Sequence, residues 1–363
     1  MNRQSPFGSL LAYCRAGFET ECARELIERA RELRIELEGE PASSSAFVVL
    51  HCRPEQAIES LRAKLRFDTL TFARQLVYAG APVLGMSSDD RITPLLDAAK
   101  LLAPRCSAIV LETADTNEAK QLSSLCRALA PKLIASAKTA GLLAEEQPSL
   151  PRLHVFFLDS HSAYLAVSDA RNGSPWPQGI PRVRLPHGAP SRASAKLAEA
   201  FMIFLGDEDE ALVKPGLRAV DLGAAPGGWT WTLINRGLRV IAVDNGPLKG
   251  DLNDNALVEH LRVDAFRYRP RRPVDWLTCD VAAPPARVAR LVSDWIAEGA
   301  ARQAIFNLKL PMKKRYDEVA HCAALMREQL DTTALRYELR FKQLYHDREE
   351  ITGFCRVLPR RRR

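Results

Sequence analysis

Most of the usual handles on function are missing from this chain. No apolar run reaches the roughly 18 residues of a membrane span. The first ten residues, MNRQSPFGSL, are polar, so neither a spanning helix nor a secretory leader is expected. None of the eight cysteines, at 14, 22, 52, 106, 126, 279, 322 and 355, falls in a C-x-x-C pair or joins a histidine at zinc spacing. That pattern predicts a reduced, cytoplasmic protein with no structural metal. The dinucleotide loop G-x-G-x-x-G and the phosphate loop G-x-x-x-x-G-K-S/T are both absent, which argues against a phosphate-gripping site. No repeat with a period of about 20–50 residues is present, so a solenoid is excluded.

What is present is an ordinary globular composition with a basic bias. The chain has 363 residues, 47% hydrophobic and 26% charged, enough for two or three domains with substantial cores. Its net charge of +7 and pI near 9.0 favour a polyanionic partner. The basic residues cluster at Arg267, Arg269, Arg271 and Arg272, at Lys313, Lys314 and Arg315, and in the tail Arg360 to Arg363. All three clusters lie in the carboxyl-terminal half and point to nucleic acid.

Apolar spacing predicts strand, helix, strand, helix, strand over residues 9–80, with strands at 10–14, 46–50 and 69–77 and helices at 19–37 and 54–65. A second module follows, with a helix at 92–102, a strand at 108–112, a long helix to about residue 140 and strands at 153–158 and 163–167. Neither module carries a catalytic constellation. Residues 172–190 are rich in Pro and Gly and are expected to be a linker. From 191 to 363 strands and helices alternate, which implies a parallel sheet. Strands are expected at 219–222, 240–243, 261–263, 274–279, 304–308, 337–344 and 351–358, with helices at 194–205, 229–235, 286–298 and 316–330.

Residues 218–244, RAVDLGAAPGGWTWTLINRGLRVIAVD, hold the strongest signal. A buried strand runs into the loop Gly223-Ala224-Ala225-Pro226-Gly227-Gly228, then a helix, then a second buried strand ending on Asp244. Ligands of open α/β sheets bind at that strand edge, where an acid can hold both ribose hydroxyls of a nucleoside. The loop and acid together resemble motif I of class I S-adenosylmethionine-dependent methyltransferases, whose loop wraps the methionine part of the cofactor.

Three more polar residues fall where such a sheet would present them. Asp280 follows the strand at 274–279, Lys309 follows the strand at 304–308, and Lys196 opens the helix before the cofactor strand. A ribose hydroxyl is a poor nucleophile and needs a base. A lysine serves only as its neutral amine, which burial and a neighbouring cation both favour. Two lysines with one aspartate supply that arrangement. Lys196, Asp280 and Lys309 resemble three members of the Lys-Asp-Lys-Glu tetrad of the FtsJ/RrmJ-like ribose 2′-O-methyltransferases. Glu350, directly before the last strand, completes it, with Glu349 and His346 as alternatives.

The strings SRASAKLAEAF, DLGAAPGGWTW, AVDNGP, FNLKLPMKKRY and QLYHDREEITG narrow the likeness to the bacterial large-subunit ribosomal RNA methyltransferases of the M type. That resemblance implies an α/β fold in four parts. They are a ferredoxin-like module over 1–80, a THUMP RNA-binding domain over 81–171, the linker 172–190 and a Rossmann-like methyltransferase domain over 191–363. It implies transfer of methyl from S-adenosyl-L-methionine to the 2′-hydroxyl of a cytidine in the peptidyl-transferase region of 23S rRNA. No association motif in the sequence argues against a monomer. Cofactor contacts implied by position are Ala225, Pro226, Gly227 and Gly228, then Asp244 for the ribose, Asp264 toward the adenine, Asp280 near the methyl, and a serine. That serine is Ser194, with Ser191 the alternative. Lys309 would be the proton acceptor.

Competing chemistries are weaker. Amino-group methylases place Asp/Asn-Pro-Pro-aromatic after the fourth strand, whereas here the segment reads Asp280-Val281-Ala282-Ala283-Pro284-Pro285, without an aromatic. Cytosine-C5 methylation needs a cysteine nucleophile. Cys279 is adjacent, but an alternating strand that presents Asp280 turns Cys279 away. A non-catalytic RNA-binding protein on a methyltransferase fold would not need an intact tetrad.

Overall fold

A computed structural model describes residues 5–184 and 188–359. The arginine tail at 360–363, Pro186 and His187 of the expected linker, and the first four residues lie outside the described residues. The chain divides into two units, residues 1–180 and 181–363.

The first unit opens with β1 (Ser9–Tyr13), α1 (Glu19–Glu32), β2 (Glu36–Glu38), β3 (Phe47–Arg53), α2 (Ala57–Lys64) and β4 (Gln75–Ala79). This βαββαβ order, with strands arranged β2-β3-β1-β4, is the ferredoxin-like pattern. α3 (Ile92–Leu102), β5 (Ala108–Thr113), α4 (Ser123–Thr139), β6 (Arg152–Phe157) and β7 (Ala163–Ser168) follow. β7 pairs antiparallel with β4, Tyr78 opposite Val167, so both segments share one seven-stranded sheet ordered β2-β3-β1-β4-β7-β6-β5. Only β5 and β6 pair in parallel.

Three expected elements are redrawn. The helix expected to reach residue 37 stops at Glu32, because Arg34 adopts a left-handed φ of 61° and Leu37 is buried at the sheet edge opposite Cys52. The strand expected from 69 begins only at Gln75. Buried Glu25 accepts the N–H groups of Thr71 (2.7 Å) and Phe72 (2.9 Å), taking those amides out of any ladder. The Pro/Gly-rich segment is not free chain up to residue 180. The Gln75 side-chain amide holds the Ser174 backbone, Nε2 donating to its carbonyl and Oε1 accepting its N–H (2.9 Å each), and Glu112 accepts the N–H of Gln178. Glu112 also takes the Tyr13 hydroxyl (2.9 Å) and faces His154 Nδ1 (2.8 Å), whose Nε2 meets Ser168.

The second unit contains α5 (Ala193–Leu205), α6 (Asp209–Leu212), β8 (Arg218–Leu222), α7 (Gly228–Ile234), β9 (Arg239–Val243), β10 (Val258–Leu261) and β11 (Val274–Cys279). It ends with α8 (Pro285–Ala297), β12 (Ala301–Lys309), α9 (Arg315–Asp331), β13 (Tyr337–Lys342) and β14 (Glu350–Val357). The sheet order is β10-β9-β8-β11-β12-β14-β13, parallel from β10 to β12, with β14 antiparallel to both neighbours. This is a Rossmann-like α/β sheet. The strand expected at 261–263 lies earlier, at Val258–Leu261, where Val258 pairs with Val240; Val263 is exposed. The chain winds outward from β8 to β10 and then returns to β11, so a crevice opens between the carboxyl ends of β8 and β11.

Leu197, Phe201, Trp229, Leu233, Trp276, Ile305 and Phe354 pack together as the core between α5, α7 and the sheet. Trp276 is fully buried, donates its indole N–H to Leu212 (2.9 Å) and meets Phe201 edge-on at 5.5 Å. Among the described residues no helix is long and apolar enough to cross a membrane. Replacing Trp276 by Ala removes this volume and orphans the Leu212 carbonyl. It should cost the second unit about 3–5 kcal/mol in denaturant unfolding, and a loss below about 1 kcal/mol would contradict this packing.

Candidate active site

The crevice is floored by a fully buried carboxyl. Asp221 on β8 accepts hydroxyls from Thr230 of α7 (2.6 Å) and Thr278 of β11 (2.9 Å), and burial pushes its pKa up to about 7. It pins the helix behind the glycine loop to the two central strands. The loop is crowded on both sides. Gly227 has a φ of 112°, and a Cβ there would lie 2.1 Å from Leu252 Cδ1. A Cβ on Gly228 would lie 2.3 Å from Ser191 Oγ and 3.0 Å from Ser194 N. The loop therefore needs glycine at both positions.

Asp244, at the end of β9, has both oxygens fixed by backbone. Oδ2 accepts from Ala225 N (3.0 Å) and Oδ1 from Gly246 N (2.7 Å). Each oxygen keeps acceptor capacity for a further donor. Asp264 lies on the exposed segment after β10, three residues past Leu261, whose carbonyl takes the Asp244 N–H (3.1 Å). The two serines differ. Ser191 Oγ accepts from Ala193 N at 3.3 Å, while the Ser194 hydroxyl is buried with no hydrogen-bond partner among the described residues.

The four charged residues converge. Lys309 ends β12 and stands opposite Glu350, the first residue of β14. Lys309 Nζ donates to Asp280 Oδ1 (2.6 Å) and Glu350 Oε2 (2.5 Å). Lys196, reaching in from the first turn of α5, donates to Glu350 Oε1 (2.8 Å) and lies 3.8 Å from Asp280 Oδ2. Each carboxylate spans both lysines, giving a closed ring of alternating charge. Glu350 is thus the acid in the cluster. Glu349 points away to Arg315 (2.9 Å), and His346 pairs with Glu199 (2.6 Å).

The expected depression of the Lys309 pKa is not what this geometry produces. Burial favours the neutral amine, but Asp280 and Glu350 together outweigh burial and hold the Lys309 ammonium above the usual lysine value. The cluster thus sets two lysines against two carboxylates. Four residues that the sequence pattern does not single out complete the surroundings. Buried Asn307 and Thr352 form the cross-strand pair beneath Lys309 and Glu350, and buried Asp347 lies below them. Glu199 accepts the N–H groups of Tyr345 (2.7 Å) and His346 (3.0 Å), clamping that turn to α5. All four lie within the strings that carry the family likeness, but no spacing sets any of them apart from a surface polar residue.

Three sequence families match the chain in succession. They are the RlmM ferredoxin-like domain at residues 7–77, the ribosomal RNA large subunit methyltransferase M N-terminal domain at 90–169, and FtsJ-like methyltransferase at 189–354. The ribosomal RNA large subunit methyltransferase M of Methylococcus capsulatus is 51% identical over 350 residues, covering 96% of this chain and 98% of that protein. The chain belongs to this family. Relatives of the same name from Thauera aminoaromatica and Cellvibrio japonicus are 45% and 46% identical, over 98% and 96% of this chain and 99% of each relative.

As a member of this family the chain is a methyltransferase, and S-adenosylmethionine is its cofactor. The cradle fits that group. It offers an orphaned buried hydroxyl at Ser194, a carboxylate held ready at Asp244, and glycines where any side chain would intrude. Cys279, the nucleophile a C5 methylase would need, is fully buried, with burial pushing its thiol up to about 12.

Gly228→Ala drives a methyl group into Ser191 and Ser194. It should weaken S-adenosylmethionine binding at least about tenfold by titration calorimetry, equivalent to about 1.4 kcal/mol. Wild-type affinity in the folded variant would show that these neighbours yield freely.

Proposed function

We propose that the enzyme transfers a methyl group from S-adenosylmethionine to the ribose 2′-hydroxyl of a cytidine in the peptidyl-transferase region of 23S rRNA. Family membership implies the ribosomal RNA substrate; the cytidine and its location come from the family likeness. The ring of Lys196, Asp280, Lys309 and Glu350 at the strand ends beside the cradle carries the 2′-oxygen reading.

Bound S-adenosylmethionine supplies an electrophilic methyl on a positively charged sulfur. Ala225, Pro226, Gly227, Gly228 and Ser194 would hold its methionine part and Asp244 its ribose, with Asp264 assigned to the adenine end and Asp280 to the methyl end. Lys309 accepts the proton of the 2′-hydroxyl. It is the most exposed member of the ring, its side chain 36% accessible against 8% for Lys196, so it is the one a substrate reaches. Lys196 bridges the two carboxylates from α5, and Asp280 and Glu350 aim Lys309. Because those carboxylates hold the Lys309 proton, the reactive amine is a minor form at neutral pH, which sets the direction of the pH profile. The same reading takes the enzyme to act in the cytoplasm, as a monomer.

Lys309→Ala should cut transfer by at least about 100-fold while cofactor affinity stays within about threefold. In the wild type, kcat should rise close to tenfold per pH unit between about pH 6 and 8, as the base form of a raised-pKa group accumulates. Tritiated-methyl transfer to unmodified 23S rRNA, followed by nucleoside digestion, should yield 2′-O-methylcytidine. Methyl on a base atom, or undiminished activity in the variant, would discard the assignment.

The first unit, read as the RNA-binding module of THUMP type over 81–171, and the exposed Arg267, Arg271 and Arg272 are assigned to phosphate binding. Arg269 and Arg315 are engaged by Glu298 (3.5 Å) and Glu349 (2.9 Å), whereas Arg267, 3.7 Å from Asp264, keeps its side chain almost wholly in solvent. RNA affinity should therefore fall steeply with salt. Glu at positions 267, 271 and 272 should weaken it and flatten the slope by about one unit for each phosphate no longer neutralised. A flat wild-type salt dependence in a filter-binding titration would contradict this.

A further inference from the structure

Beneath the charged ring lies a buried carboxyl to which the reaction as described assigns no task. Asp347, on the turn between β13 and β14, is fully buried. Its Oδ2 accepts the N–H of Leu344 (3.0 Å), and its two oxygens lie 3.2 and 3.0 Å from Thr352 Oγ1. Lys196 Nζ is 3.9 Å away. Thr352 Oγ1 is also 2.8 Å from Asn307 Oδ1, and Asn307 Nδ2 donates to Asp280 Oδ1 (3.0 Å), the oxygen that receives Lys309. Asn307 faces Thr352, as Lys309 faces Glu350 two residues along, so the two pairs are stacked layers on one side of the same strands.

The number of available protons decides the state of this chain of groups. The Asn307 amide is oriented by Asp280, a carboxylate that needs a donor, so its Oδ1 must face Thr352. Thr352 has one hydroxyl proton and two acceptors competing for it. If Asp347 is a neutral acid, it donates to Thr352, Thr352 to Asn307, and Asn307 to Asp280, and every buried group is satisfied. If Asp347 is charged, Thr352 turns back to it and the buried Asn307 oxygen loses its side-chain donor, an expensive vacancy. A charged Asp347 would also add a third carboxylate to a ring already balanced at two against two. Burial pushes Asp347 up to about 8; Lys196 and the Leu344 amide oppose that, while Glu350 and Glu199 add to it. The remaining titratable neighbour, His346, is already paired with Glu199.

We propose that Asp347 acts as a neutral carboxylic acid and a positioning residue, fixing Asp280 against Lys309 through Thr352 and Asn307. This rests on the reading of Lys309 as the proton acceptor. Asp347 touches neither substrate nor cofactor. Its neutrality keeps the ring at two carboxylates, and ionising it would strengthen the hold on the lysine protons and slow the reaction.

The test compares kcat and KM for Asp347→Asn, Asp347→Ala, Thr352→Val and Thr352→Ser in the full-length enzyme, with Lys309→Ala alongside and melting curves on all. Asn retains a donor toward Thr352 and an acceptor for Leu344 N–H, so Asp347→Asn should keep kcat within about threefold. Asp347→Ala and Thr352→Val should each lower kcat about 10- to 100-fold with both KM values little changed. Thr352→Ser should restore most of that activity, and the Asp347→Ala/Thr352→Val double variant should be little worse than either single, because both break one relay. Above about pH 8 the wild-type rate should bend below its rising line as Asp347 ionises, and Asp347→Asn should not bend. A folded but inactive Asp347→Asn would overturn the proposal, since it would mean the carboxylate charge is what the site requires. So would wild-type kcat in both Asp347→Ala and Thr352→Val. An active Lys309→Ala would overturn the base assignment and this relay together, which separates the two failures.

Discussion

The second unit depends on a constraint that is simple to state: two lysines and two carboxylates are largely withdrawn from water and can be so only together. Leaving Lys196, Asp280 or Glu350 unpaired would cost several kcal/mol, so removing a partner destabilises those that remain. Mutual pairing satisfies all four, but only if α5, β11, β12 and β14 are held in one register. The Lys309–Glu350 cross-strand pair sets that register from within the sheet, and Lys196 links it to the helix. The requirements of folding and of chemistry therefore meet at the same atoms.

That pairing also shapes the chemistry. A ring balanced in charge holds its protons tightly, so the structure favours a stored ammonium over a ready base. Burial by itself would favour the neutral amine of Lys309, and the two carboxylates reverse the sign. The same logic explains why the layer beneath is built of neutral groups. Asn307 and Thr352 support Asp280 without adding charge, where further ionised groups would trap the lysines in their protonated form.

The first unit solves a different problem with similar means. Its ferredoxin-like half and the segment after it share one continuous sheet through the β4–β7 pairing, so neither has an exposed edge at the join. Glu112, buried among Tyr13, His154 and the amide of Gln178, ties that sheet to the segment that leaves the unit. A stretch whose Pro and Gly content reads as linker is therefore part of the packed structure as far as Ile180.

The local signals in the sequence were strong because they are local. A run of small residues between two buried strands, an acid at the end of the second, and Asp280, Lys309 and Glu350 at strand ends are readable from alternation and spacing. They placed the cradle and the charged residues at one edge of a parallel sheet. Which acid joins the ring was not readable, because Glu349 and Glu350 are neighbours and only the β12–β14 register turns one inward and the other toward Arg315. Nor was the direction of the Lys309 pKa shift, a balance of burial against two charges brought from different strands. Asp347, Thr352 and Asn307 are ordinary polar letters until the sheet buries them. Sequence by itself determined most of the elements, the glycine loop and the cast of charged residues, since these follow from short-range periodicity and residue chemistry. Tertiary structure alone decided which groups lose water and which face each other, because desolvation and pairing depend on distances between residues far apart in the chain.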